Sequence, residues 1–361
     1  MVYSHLIFLI IGLILLIKGS DFFVESSSRI AKRLGVSEFI IGLTLVAIGT
    51  SIPEFSTAIA ASLKGNSGII IGDIIGSNIT NMSLILGIGS LIAVITIKKS
   101  IFKKDGYIMV VSMAMLFILM LDKVITRAEG ALLLLIFIAY TLFNFSSKKT
   151  RETYDFEGFL DYFLKFKYLI TIKDKFIRRE IKKQNPLIKQ EKQKKQTQKE
   201  QYESKKEYYE FKESFIKDLM ILIIGAGAIF FGAKSLIAES IWAAEALGIS
   251  TTIIGATLIA LGTTTPELGV TIRAAKKGYS DLIIGNIFGS CITNILLVIG
   301  ISGIINPVSI NNTTLIFTVP FMILISLILL LFMKTEWRIK KKEGIILLAL
   351  YALFFFLIFV F

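Results

Sequence analysis

Two glutamates, Glu54 and Glu267, each follow a proline inside a long apolar run, and the strings around them are near copies: GTSIPE at 49–54 and GTTTPE at 262–267. Further on, GSNITN at 76–81 answers GSCITN at 289–294. The offset is 213 residues throughout. Laid out without gaps from Ile40 and Ile253, 27 of 49 positions are identical, so the unit is a duplication. A carboxylate held at mid-bilayer depth is costly unless it is solvated or paired, which marks it as functional by default. Two of them at equivalent places suggest one shared cation site.

The neighbouring residues supply the rest of a donor set. Thr50, Ser51, Thr263 and Thr264 stand three or four positions before the glutamates, on the same helix face or its broken turn. Ser77 and Asn81, and likewise Ser290 and Asn294, are four apart and add neutral oxygens. Calcium takes six to eight oxygen ligands. A set without strong nitrogen or sulfur donors favours Na⁺, Ca²⁺ and Mg²⁺ over Zn²⁺ or Cu⁺. The hydroxyls can also bond back to their own helix, and Asn81 and Asn294 can hold helices together. Asp73 has Asn286 as its counterpart, so its charge is not duplicated; it reads as an edge or pairing residue. His5, the single histidine, reads as interfacial rather than as a proton relay. Cys291 stands where the first copy has Asn78 and reads as a packing residue.

These residues need a bilayer around them. The chain has 361 residues, 54% of them apolar, and a mean hydropathy of +0.72, too apolar for water to be its solvent. Apolar runs fall at 4–20, 37–62, 68–97, 107–122, 128–146, 216–238, 251–275, 281–305, 313–333 and 343–361. Each must be helical, because a helix satisfies its own backbone groups in lipid. Basic residues follow the first, third, fifth, seventh and ninth runs, and the loop after the fifth holds roughly half of the chain's 40 Lys and Arg. Those loops are assigned to the cytoplasm, with both termini outside. This topology accounts for the net charge of +13 without nucleic acid. One cysteine excludes an intramolecular disulfide and a Cys-rich metal cluster. The start of the chain lacks a basic n-region and a small-residue cleavage site, so the first helix is expected to be retained.

Five helices on either side of the polar stretch make the second copy enter the membrane upside down. The expected fold is an all-α integral membrane protein of ten transmembrane helices, arranged as two inverted five-helix repeats with a site at mid-membrane. The repeats are 1–146, with its motif at 40–88, and 216–361, with its motif at 253–301. Residues 147–215 form a charged cytoplasmic linker. Pro53 and Pro266, preceded by Gly49 and Gly262, should break their helices and free carbonyls. Gly72–x3–Gly76 and Gly285–x3–Gly289 should let helices approach closely. In the linker, 156–179 reads as a basic amphipathic helix for the inner leaflet and its anionic lipids, and 187–214 as a solvated or coiled helix. It has no clustered aspartates for an ion.

On GTSIPE, GTTTPE, GSNITN and GSCITN the chain resembles the cation/calcium antiporter superfamily, in its prokaryotic sodium/calcium exchanger branch. The resemblance covers both halves but not the linker. It implies exchange of extracellular Na⁺ for cytosolic Ca²⁺ across the plasma membrane, with the first and sixth helices sliding over a fixed core. It also implies that Glu54 and Glu267 are the central ligands and that Thr50 and Thr263 contribute backbone carbonyls. Ala47 and Ala260 would supply outer carbonyls, with Ser51, Thr264, Ser77, Ser290, Asn81 and Asn294 around them. Potassium-dependent relatives carry Asp where Asn294 stands, which argues against K⁺ co-transport, although some microbial sodium-coupled relatives have Asp there too. No cofactor and no enzymatic activity are implied, and one chain holds both half-sites, so a monomer suffices. The alternative within transport is a proton-coupled or broader divalent-cation exchanger. A channel fits less well, since its symmetry is commonly that of an oligomer around a pore. An acid–base enzyme lacks a Cys–His or Ser–His pair.

Overall fold

The computed structural model describes residues 2–34, 38–146, 155–168, 214–232, 235 and 260–358. The expected helix over 187–214, nearly all of it, and the opening of the second motif at 253–259 lie outside them. The chain is helical almost throughout. Helix α1 (Val2–Leu34) is 33 residues long and runs well past the apolar stretch at 4–20, because a half-buried, ion-paired surface carries it onward. A short α2 (Glu38–Ile41), a π-helical turn at Gly42–Val46 and α3 (Ala47–Thr50) lead to a break at Ser51. Beyond it α4 (Ile52–Leu63) starts with Pro53 in its first turn, where a missing N–H costs nothing. The two limbs meet at 44°.

Asn66 caps α5 (Ser67–Thr80), accepting from the Ile69 N–H at 3.3 Å. The helix continues through a π turn at Asn81–Ile85 into α6 (Leu86–Ile92). Then come α7 (Lys99–Ile101), a π turn at Phe102–Gly106, α8 (Tyr107–Leu119) and α9 (Arg127–Ser146). Thr126 and Glu129 form a capping box for α9. The linker contributes α10 (Phe156–Leu164), and the second half opens with α11 (Ser214–Gly232). There follow α12 (Ala260–Thr263), α13 (Thr265–Lys276), α14 (Ser280–Ile292), a π turn at Thr293–Ile299 and α15 (Gly300–Ile305). The chain closes with α16 (Val319–Lys334) and α17 (Lys341–Leu357). Among the described residues five helices are long and apolar enough to cross a bilayer, or six if the bent pair around Ser51 is one span.

Four two-residue strands, invisible in the hydropathy pattern, report how the halves are related. Strand β1 (Ile95–Thr96) pairs antiparallel with β4 (Arg338–Ile339), and β2 (Val124–Ile125) with β3 (Val308–Ser309). Strands β1 and β2 sit at opposite ends of the 99–119 helix. Since β3 joins β2, the helix ending at Ile305 finishes at the opposite end of the bundle from the one ending at Ile92. Yet β1 and β3 are equivalent in the repeat, with Ile95 and Val308 separated by the same 213 residues. Equivalent helices therefore run in opposite directions.

The core is the seam between the 67–92 and 280–305 helices, which are 83% and 94% buried over their apolar windows. Gly285 and Gly289 let α14 lie against the 38–50 segment: a Cβ on Gly285 would meet the Phe39 carbonyl at 2.5 Å, and one on Gly289 the Leu43 carbonyl and Ala47 Cβ at 2.6 Å. Gly72 does not share the role, since a Cβ there meets nothing within 4 Å.

The linker helix is docked on the protein as well as amphipathic. Phe159 and Tyr162 are buried against Tyr140 and Phe143 of α9, with ring centroids 5.3 to 6.1 Å apart. Beneath them Lys104 and Asp105 form a fully buried ion pair, and Tyr140 donates to Asp105 Oδ1 at 2.7 Å. On the outer side Leu164 and Phe166 remain exposed.

Candidate functional site

The two helix breaks bring the duplicated residues face to face. Ser51 and Thr264 each leave the helical region, with φ, ψ of −81°, 9° and −83°, 1°, so that Glu54 and Glu267 fall in the first turn of α4 and α13. A helix N-terminus carries unpaired N–H groups and partial positive charge, which favours a carboxylate there. Both glutamates are completely buried, and their negative charges repel each other.

Around Glu267 the structure assembles three of the expected residues. Ser51 Oγ donates to Glu267 Oε1 at 3.3 Å, Ser290 Oγ donates to the same oxygen at 3.2 Å, and the two hydroxyls are themselves 3.3 Å apart. Ser51 comes from the first half and the other two residues from the second, so this half-site is built from both repeats. Glu54 is different: neither of its carboxylate oxygens accepts a hydrogen bond. A buried carboxyl without partners is neutralised by a cation or by a proton.

Across the pseudo-twofold, Thr50 Oγ1 donates to Asn286 Oδ1 at 3.3 Å and Thr263 Oγ1 donates to Asp73 Oδ1 at 2.9 Å. Ser77 stands 3.3 Å from the Thr263 hydroxyl and 3.5 Å from Asp73 Oδ1. Asp73, expected at an edge or in a pair, is the pairing residue: it is buried among the site's hydroxyls and accepts from Thr263 and Ser77. The signal that could have found it is its place four residues before Ser77, on the same face of α5.

The remaining expected residues divide. Asn81 is fully buried with both amide atoms unsatisfied, and Asn294 donates to Asn78 Oδ1 at 3.1 Å while its own Oδ1 has no partner. Free amide oxygens suit a cation. Thr264 turns its hydroxyl back to the Ala260 carbonyl at 2.9 Å and is not drawn to a glutamate. The carbonyls of Ala47 and Ala260 are taken up by the last helical turn, from Ser51 N at 3.0 Å and Thr264 N at 3.2 Å. Each of these carbonyls keeps a second lone pair beside that N–H. Cys291 is buried packing, as expected. Among the described residues no three His, Cys, Asp or Glu side chains gather into one metal-chelating cluster.

Comparison with known proteins converges on one family. The family described as "Sodium/calcium exchanger protein" matches residues 4–146 and 217–360. The sodium/calcium exchanger MaX1 of Methanosarcina acetivorans is 43% identical over 360 residues, spanning 99% of each chain. An uncharacterised membrane protein of Methanocaldococcus jannaschii is 30% identical over 348 residues, 96% of this chain and 95% of that one. Solved structures of the sodium–calcium exchanger NCX_Mj superpose with a TM-score of 0.74 at 29% identity, covering 98% of both chains, among them one soaked with 2.5 mM Na⁺ and 0.1 mM Ca²⁺. The match of both halves means that this chain belongs to the sodium/calcium exchanger family.

Proposed function

We propose that the protein is a secondary antiporter that exchanges Na⁺ for Ca²⁺ by alternating access at the site built on Glu54 and Glu267. The observation that carries this reading is the pair of fully buried glutamates in which Glu54 has two unsatisfied oxygens. The liganding set comprises Glu54, Glu267, Ser51, Ser77, Ser290, Asn81 and Asn294, with the Thr50 and Thr263 carbonyls. Two carboxylates are neutralised by one Ca²⁺ or by two Na⁺, not by both loads together, and that competition turns binding into exchange. Membership of an exchanger family supports the ion pair.

The architecture proposed is ten membrane-spanning helices in two inverted repeats, 1–146 and 216–361, joined by the cytoplasmic segment 147–215. The antiparallel course of the 67–92 and 280–305 helices supports it. The protein would lie in the cell membrane with both termini outside and work as a monomer, its linker held near anionic lipid by Lys and Arg. Helices α1 and α11 would be the moving pair. They pack through Gly19 and Gly225, where a Cβ would meet the facing backbone at 2.9 Å. Arg29 and Arg33 both clasp Asp218, at 2.7 and 2.8 Å, which joins the two helices into one body.

The test is ⁴⁵Ca²⁺ uptake into proteoliposomes under imposed gradients. Uptake driven by an outward Na⁺ gradient supports the reading. Uptake driven only by a pH gradient would replace it with the proton-coupled alternative, and single-channel currents would replace it with a pore.

A further inference from the structure

Two carboxylates one turn apart on α1, Asp21 and Glu25, face two cations one turn apart at the end of α13, Arg273 and Lys277. Arg273 Nε reaches Asp21 Oδ1 at 3.0 Å, and Lys277 Nζ pairs with Glu25. Residues four apart share a helix face, so an acidic row and a basic row meet as a ladder of two rungs. Six residues separate Glu267 from Arg273 and ten separate it from Lys277, about 9 Å and about 15 Å along a helix. With the glutamates at mid-membrane, both rungs fall within a hydrocarbon half-thickness of about 15 Å. Charges at such depth are costly and mark ion pathways. Between the rungs stands Phe23, which is buried. A Cβ on Gly49 would meet its ring at 3.1 Å, so the ring rests on the backbone that leads into the first helix break.

The ladder exists on one side only. At the same offset of 213 residues, Asp21 and Glu25 correspond to Lys234 and Ala238, and Arg273 and Lys277 to Ala60 and Lys64. A clasp that the duplicated fold itself needed would recur in the other copy. The rungs are also able to part. Their side chains are 23–45% exposed, which keeps each pair weak, whereas the largely buried Asp218 ties α1 to α11 through Arg29 and Arg33. Arg29 also lies 3.6 Å from Glu25, so Glu25 keeps a cation when Lys277 leaves. Helix α1 can therefore separate from α13 while staying with α11.

We propose that the Asp21–Arg273 and Glu25–Lys277 pairs, with the Phe23 ring between them, form the cytoplasmic gate of the ion path, shut in this structure. This rests on the exchanger reading above, in which α1 and α11 move and the far ends of α1 and α13 lie toward the cytoplasm. Shut, the gate holds Phe23 over Gly49 and sets the charge of Arg273 on the cytoplasmic side of Glu267, where it opposes the entry of a cation. Parting of the rungs lifts the ring from Gly49 and opens a way to Glu54 and Glu267. Arg273 and Lys277 are positioning residues: they act on transport through the place of α1 and do not hold the ion.

The test is the rate at which a membrane-impermeant, anionic methanethiosulfonate modifies a cysteine placed behind the gate. It uses the full-length protein in inside-out and right-side-out membrane vesicles, in choline medium. The reporter is Val270→Cys in a Cys291→Ser background, since Val270 is buried on α13 between Glu267 and Arg273. Modification from the cytoplasmic face should be slow. Arg273→Gln and Lys277→Gln should each speed it by up to about fivefold, the loss of one partly exposed ion pair, and Phe23→Ala should speed it too. Loss of a cation by itself would slow an anionic reagent, so a faster rate reports opening. Arg273→Lys should keep the slow rate, and the swap of Asp21→Arg with Arg273→Asp should restore it. Added choline chloride screens the pairs of the unaltered ladder and should act as the glutamine variants do. Unchanged cytoplasmic rates in the glutamine variants or in Phe23→Ala overturn the proposal. An equal rise from both faces overturns it as well, because the ladder would then only hold the fold together. If the glutamine variants do not fold, the salt series decides: a rise from the cytoplasmic face alone supports the gate, and a flat rate contradicts it. Absence of Na⁺-driven ⁴⁵Ca²⁺ uptake in the same vesicles, with the modification rates as expected, would instead defeat the exchanger reading.

Discussion

Ser51 and Glu267 belong to opposite halves of the chain, yet the Ser51 hydroxyl donates to Glu267 Oε1 at 3.3 Å. Ser290 donates to the same oxygen. The glutamate of the second repeat is thus oriented partly by the first, and neither half carries a complete site. Replacing either serine should weaken Ca²⁺ binding. A hydrogen bond to a charged group is worth about 1.5–3 kcal/mol, so Ser51→Ala and Ser290→Ala should each raise the Ca²⁺ Kd about tenfold or more by calorimetry. Thr264→Ala, whose hydroxyl serves its own helix, should change it by less.

The glycine seam sets the distance between the halves. Gly289→Ala drives a Cβ into the Leu43 carbonyl and Ala47, and overpacking of this kind costs about 1–3 kcal/mol. It should lower the melting temperature and abolish Na⁺-driven uptake, because the helix that bears Thr50 and Ser51 moves away from α14. Gly72→Ala, with open space around its Cβ, should leave both unchanged. Thermal melts beside vesicle uptake check the pair.

Ion pairs hold α1 in place in two ways, and they should differ in strength. Arg273 reaches Asp21 at 3.0 Å and Lys277 reaches Glu25, all partly exposed and worth at most about 1 kcal/mol each. Asp218, only 6% exposed, receives both Arg29 and Arg33. Asp218→Ala should therefore destabilise the protein by more than Arg273→Ala does, in the same melting assay. If α1 slides against α13, Arg273→Ala should also speed exchange by releasing the conformation seen here.

The linker helix provides a fourth check. Phe159→Ala removes the ring that covers Tyr140 and Phe143, and truncation of a buried aromatic costs about 3–5 kcal/mol. Leu164→Ala, at 67% exposure, should cost far less. Equal stability of the two variants would mean that α10 is not docked on α9.

Much of this arrangement was legible in the residues. The duplicated Pro-Glu strings locate both helix breaks, because proline disfavours continuation at the same place in each copy. For Asp73 the sequence leaves edge and pairing open, because its charge is not duplicated, and only packing shows that Thr263 of the other half is its partner. For Ala47 and Ala260 the position of the break does not say which acceptors the preceding turn still uses: both carbonyls accept an N–H there and keep a second lone pair. The same gap explains Gly72, whose motif matches Gly285 in sequence while its neighbour is absent in space. For α10, amphipathicity gave the apolar face but not that Tyr140 and Phe143 receive it.

The central claim is that Glu54 and Glu267 together make one site over which Ca²⁺ and Na⁺ compete. Isothermal titration of Ca²⁺ into the purified protein, in choline and then in Na⁺, tests it directly. The account predicts one Ca²⁺ per chain, weakened progressively by Na⁺, and no binding in either Glu54→Gln or Glu267→Gln. Two independent Ca²⁺ per chain, or one that survives in a single glutamine variant and ignores Na⁺, would contradict it.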